Sequence, residues 1–107
     1  MNPENEIHEI ELSKKDAQKL VDIGKSVDRL LSNRDFKRVI LEEFFQKEPV
    51  RLVGLLSDPE WQSPERQAEL IADMKAIGYL RQFLNTRAAM GDQARAAIEE
   101  MDEVLDE

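Results

Sequence analysis

Apolar residues recur at spacings of three and four along most of this chain, with charged residues between them. That rhythm is the signature of amphipathic helices. Ala17, Leu20, Val21, Gly24, Val27 and Leu31 form one stripe and predict a first helix over about residues 14–31. Ser13 stands where an N-cap hydroxyl would serve a free backbone N–H, and Asp16 is the capping-box acid three residues on. Residues 1–12 read as a polar, acidic lead-in whose Ile7, Ile10 and Leu12 could lean on a neighbouring surface.

"SNRD" punctuates the pattern, with Asp35 or Asn33 able to cap the next helix. That second helix is expected over 36–57, with Val39, Ile40, Leu41, Phe44 and Phe45 as a broad apolar face. Pro49 has no N–H for the carbonyl of Phe45 and its ring crowds that carbonyl, so a kink or a restart is expected there. Val50, Leu52, Val53, Leu55 and Leu56 carry the face onward. "DPEWQSPE" then turns the chain. Ser63-Pro64-Glu65 is a strong helix start: a cap, a proline in the first turn and an acid near the positive end of the dipole. Trp61, placed just ahead of that cap, is expected to pack across the corner on Leu56 or on the turn after Pro64. The competing role is an exposed anchor for a partner.

The third helix, over 64–105, has the longest pattern. Leu70, Ile77, Leu84, Gly91, Ile98 and Leu105 recur every seventh residue, with Leu80, Ala94 and Met101 in the companion position. Ala76, Phe83, Met90, Ala97 and Val104 flank this seam, while Asp73 and Arg87 interrupt it. Such a repeat is a packing stripe of coiled-coil type. At about 1.5 Å per residue it would run roughly 60 Å, and each shorter helix about 30 Å. A simple three-helix bundle would leave the far half wet, so a second copy of the chain is expected to cover Phe83, Leu84, Arg87, Met90, Gly91, Ala94, Ile98, Met101 and Leu105. Arg87 would then either lie along the seam or make an interchain ion pair. A break at Gly91-Asp92 would shorten the stripe and give four helices instead of three. The fold expected is thus all-α: an antiparallel hairpin or bundle, one helical domain over 13–107. Gly24, Gly54, Gly78 and Gly91 all fall inside helical patterns, which suggests close backbone approach.

Composition narrows the chemistry. Hydrophobic residues make up 41% and charged residues 36%, which suits a packed helical protein rather than a disordered one. The net charge is −8, and its acids gather at the ends. Residues 1–12 hold four acids and residues 99–107 six, with no Lys or Arg in either stretch. That balance argues against nucleic acid as a partner. The ten basic residues between Lys14 and Arg51 are diluted by seven acids. Arg34, Lys37 and Arg38 open the second helix as a solvated face or a docking patch for acid. The tail "EEMDEVLDE" opposes the helix dipole and should fray unless a basic partner holds it.

There is no cysteine and one histidine, His8, so thiol chemistry and histidine-rich metal centres are excluded. Glu42/Glu43 and Glu99/Glu100 are sequence neighbours that point to different sides of a helix, not convergent acid–base pairs. No phosphate loop, dinucleotide fingerprint or zinc motif occurs. No catalytic residue, cofactor or metal is expected. The N-terminal residues are acidic where a signal peptide would be basic and apolar, and the apolar runs are far short of a membrane span.

Residues 35–86 contain "DFK.VI", "E..RLV.LL.DP..QSPE.Q" and "AIG.LRQF". This stretch resembles small helical proteins of tailed bacteriophages encoded among virion or assembly genes. The resemblance implies a phage product without assigning its job; the location expected is the host cytoplasm or the particle, and the partners expected beside a second copy are other virion proteins or a host protein. It implies no catalytic residues. Joined to the uncovered stripe, it leads to the expectation of an oligomerising virion or assembly component. The acidic ends suit a second class: an inhibitor that binds a host enzyme by imitating nucleic-acid charge.

Overall fold

The computed structural model describes residues 3–106, with the side chains of residues 3–5, 7, 8, 10 and 12 excepted. The roles suggested for His8, Ile7, Ile10 and Leu12 lie outside the described residues. The chain is all-α, with α1 Pro3–Ser32, a one-turn α2 Arg34–Phe36, a π-helix Lys37–Lys47, α3 Glu48–Leu56, a 3₁₀ turn Pro59–Trp61 and α4 Pro64–Asp106. Its contacts fall into two compact units: Met1–Arg29 with Asn85–Glu107, and Leu30–Leu84.

In the first unit, α1 and the last part of α4 pack antiparallel. Lys14 forms an ion pair with Asp102, Ala17 and Val21 cluster with Ala94, and Gly24 meets Gly91. As the number rises on one helix it falls on the other, which fixes the register. α1 starts at Pro3, so the helix expected from residue 14 takes in most of the lead-in, and Ser13 lies inside it instead of capping it. A proline and acids suit a first helical turn on their own account. α1 covers part of the seam from within the chain through Ala17, Val21 and Gly24, which lie inside the helix expected from residue 14. Gly91 and Ala94 are buried, and Ile98 packs half-buried on the Ala17–Val21–Ala94 cluster. α4 also runs through Gly91-Asp92 without a break.

The second unit is built around Leu52, Leu70 and Ile77, with Phe44, Phe45, Leu55, Leu56, Trp61 and Met74 packed against them. Asn33 is the residue that caps α2, accepting the Phe36 N–H at 2.9 Å. From Lys37 the ladder widens to the π register, closed by the Glu48 N–H donating to the Glu43 carbonyl. Pro49 sits in the first turn of the restarted α3, where a missing N–H costs no hydrogen bond.

Candidate functional site

Around the chain reversal, Asp58 accepts the Glu60 N–H at 2.9 Å and Ser63 Oγ accepts the Arg66 N–H at 3.2 Å. Both are capping bonds to otherwise free donors. Trp61 is half-buried on the Leu52–Leu70–Ile77 cluster together with Leu56. The Arg66 guanidinium lies over the ring, 4.9 Å from its centroid, and donates to the Glu60 carbonyl at 2.8 Å. Pro64, exposed, begins α4. Gln67 does what periodicity could not reveal: its amide donates to the Trp61 carbonyl at 2.7 Å and the Leu56 carbonyl at 3.2 Å. A glutamine one turn into a helix looks like surface until the corner brings two backbone carbonyls to it, one of them shared with the Gln62 amide at 2.9 Å. The corner is a structural joint in which the half-buried tryptophan ring packs on the core cluster and meets the Arg66 guanidinium.

The residues expected at an oligomer interface divide into three classes. Leu84, Gly91 and Ala94 are buried. Arg87, Met90, Ile98 and Met101 are half-buried, while Phe83 and Leu105 are exposed. Arg87 approaches Met90 Sδ at 4.0 Å through a guanidinium nitrogen. Among the described residues, no group of three or more acidic or histidine side chains could hold a metal ion. No described helix is long and apolar enough to cross a membrane.

Among the described residues, each unit carries a groove. In the second unit, Val39, Ile40 and Phe44 of the π-helix and Leu80 of α4 line a groove of about 410 Å³ with Glu43 and Glu48 at its edge. Both carboxylates are engaged within the chain. Lys47 Nζ donates to Glu43 Oε1 at 2.8 Å, and Arg51 Nε donates to Glu48 Oε1 at 2.8 Å. The hydrogen bond that Lys47 donates to Glu43 and the charge of that carboxylate raise the Lys47 pKa, and Glu48 does the same for Arg51. These are exposed pairs of small energetic weight, but they leave the edge of the groove close to neutral. The π segment supplies three of its four apolar residues, and π geometry often marks functional places in helices.

In the first unit, a groove of about 450 Å³ opens along one side of the α1–α4 pair. Ala17 and Leu20 of α1 and Met90, Ala94 and Ala97 of α4 form its lining; Ser13, Asp16 and Gln93 are its polar members. A second depression, of about 20 Å³, touches Val21, Gly24, Gly91, Lys25, Asp28, Asp92 and Arg95. The pair therefore has a charged side and an apolar side.

Comparisons with protein-family models, curated proteins and solved structures return no match. The phage likeness of residues 35–86 rests on its sequence motifs alone.

Proposed function

We propose that this chain is a non-enzymatic helical protein that works by protein–protein contact, as a component of a tailed-phage particle or of its assembly. We further propose that it self-associates through the Leu30–Leu84 unit. The observation that carries this reading is the apolar groove of that unit, whose edge acids are already matched by Lys47 and Arg51. The same unit also exposes Val39, Val50, Val53, Ile71 and Tyr79, with Val39 57% and Tyr79 71% exposed. Large apolar side chains left in water at this density mark an interaction surface more often than a bare one. The unit has eight Lys and Arg against nine Asp and Glu, a net charge of −1, so two copies can approach without strong repulsion.

The reading predicts reversible self-association at tens of micromolar by sedimentation equilibrium. That order of affinity corresponds to about 6 kcal/mol. Placing acids on the surface, with Val39→Glu and Tyr79→Glu combined, should shift the chain to monomer while leaving its helical circular dichroism unchanged. A monomeric wild-type chain at these concentrations would contradict self-association. Mass spectrometry of purified particles tests the virion assignment separately.

The inhibitor reading draws support from a different feature, the gathering of negative charge in the other unit. Its test is whether the purified chain suppresses a nucleic-acid-processing activity in host extract at stoichiometric amounts; no suppression would remove it.

A further inference from the structure

We infer that the groove between α1 and α4 is a docking site for a basic amphipathic helix of a partner protein. The inference deepens the protein-binding reading above by naming the chemistry of a partner and the surface that receives it.

The lining comes from two matched stripes. On α1, Asp16, Ala17 and Leu20 fall at helical spacing, and on α4 Met90, Ala94 and Ala97 do the same. The lining holds apolar residues along its floor and a single charged residue, Asp16; it holds no basic one. The stripes continue beyond it by sevens. Ile23 follows Asp16 and is 50% exposed, and Val104 follows Ala97 and is 56% exposed. Residues seven apart share a helix face, so an apolar track extends past the groove on both helices. The core between the helices is small, made of Ala17, Val21 and Ala94 with two glycines beside them. Two helices bury only one seam between them, and a further helix laid along their shared flank is the ordinary way to finish such a bundle.

Charge chooses the occupant. The unit formed by Met1–Arg29 and Asn85–Glu107 holds seven Lys and Arg against fourteen Asp and Glu, a net of −7 out of the chain's −8, with ten of those acids in residues 1–12 and 99–107. Seven residues before Asp16 stands Glu9, and seven after Gln93 stands Glu100, both exposed. Neither these acids nor Asp16 is matched by a cation among the described residues, unlike Glu43 and Glu48 at the other groove. The charge-matched contact of the pair, Lys14 with Asp102, joins the helices to each other. A second copy would set −7 against −7 and be repelled. A helix with an apolar stripe flanked by Lys and Arg is attracted, and its stripe finds the floor.

The test uses the full chain and three synthetic peptides of about 20 residues, long enough to lie along the track. One has Leu and Ala at helical spacing with Lys and Arg elsewhere, the second the same residues scrambled, and the third the same stripe with Glu as its only charged residue. Binding is followed by fluorescence anisotropy of labelled peptide. The striped basic peptide should bind at least about tenfold more tightly than either control, and raising salt from low to physiological levels should weaken it by about tenfold. Asp16→Lys, at an exposed position, should weaken it several-fold with an unchanged fold. Ala97→Glu should abolish it, with circular dichroism to confirm that the helices remain. Equal binding of striped and scrambled peptides would overturn the inference, because attraction to a general acidic surface needs no groove. A dimer that Ala97→Glu dissociates would overturn it too, giving the groove to a second copy. Equal peptide binding leaves the Val39 and Tyr79 surface untouched, and neither result bears on particle association, so the two readings fail separately.

Discussion

Replacing Gly91 with leucine should lower the thermal midpoint by more than about 10 °C, since each kcal/mol shifts a domain of this size by roughly 4–8 °C. A Cβ built at Gly91 would lie 2.9 Å from the Gly24 Cα and 3.2 Å from the Leu20 carbonyl oxygen. The reciprocal Cβ at Gly24 would lie 3.0 Å from the Gly91 Cα. Those neighbours are backbone atoms, so no side-chain rotation relieves the clash. Even alanine at Gly91 should destabilise, because overpacking costs about 1–3 kcal/mol while the gain in helix propensity returns only about 1 kcal/mol. Leucine should force the helices apart and open the Ala17–Val21–Ala94 cluster. The control is the opposite substitution elsewhere. Nothing lies within 4 Å of a Cβ at Gly54 or Gly78, so Gly54→Ala and Gly78→Ala should each stabilise by about 0.5–1 kcal/mol. Far-UV circular dichroism melts read all four. A Gly91→Leu protein that melts with the wild type would mean that α1 and α4 do not meet at this pair.

That contrast also measures how much of the fold is legible in the sequence. Four glycines inside helical patterns point to close approach, and two of them make it. Their sequence settings do not separate the classes, because the difference is what lies opposite. The all-α class, the long last helix and the corner at Trp61 follow from local rules: period, proline position and capping residues. Those rules need no partner to act. The length of α1 is the larger difference. Residues 3–12 are dominated by acids and polar groups, so periodicity alone starts the helix near Ser13, and it does not say which stretch of α4 that helix lies on. Yet Ile10, Ala17 and Gly24 are seven apart, as are Lys14 and Val21. Lys14 hides that repeat by putting a charge on the packing face, and the same lysine pairs with Asp102. The acid it meets sits in the tail that otherwise opposes its own helix dipole. A signal that depends on two distant segments at once is invisible in either one.

The π-helix escapes for a related reason. Lys37–Lys47 has ordinary helical composition, and its Val39, Ile40 and Phe44 would make a broad face under either ladder. The register of the backbone hydrogen bonds distinguishes them, as at the end of the segment where the Glu48 N–H donates to the Glu43 carbonyl. The two grooves are equally out of reach, since each takes residues from two helices whose register is a tertiary fact. Their charge contrast is half legible: acids at both chain ends are plain in the sequence, and the antiparallel pairing of α1 with α4 gathers both ends into one unit.

Truncating Leu52 to alanine should be the most damaging change in the other unit. Leu52 is 1% exposed and packs with Leu70 and Ile77, among the larger rings of Phe44, Phe45 and Trp61. Removing its isobutyl group forfeits transfer energy and leaves a cavity, together worth about 2–5 kcal/mol. The hydrogen bonds fastening the corner, from Gln67 to the Trp61 and Leu56 carbonyls, hold the ring in place and limit how far the site can collapse. That resistance puts the expected cost in the upper part of the range, because relaxation is what lowers it. Trp61, the one tryptophan of the chain, reports directly on this cluster. Its emission midpoint in urea should fall for Leu52→Ala. The neighbouring change Val53→Ala removes an exposed side chain and should stay within about 0.5 kcal/mol of wild type. If the two variants unfold together, Leu52 does not face the interior, and the surface assigned to Val39, Val50 and Val53 loses its footing as well. One α-helical face cannot be turned outward unless the opposite one is turned in.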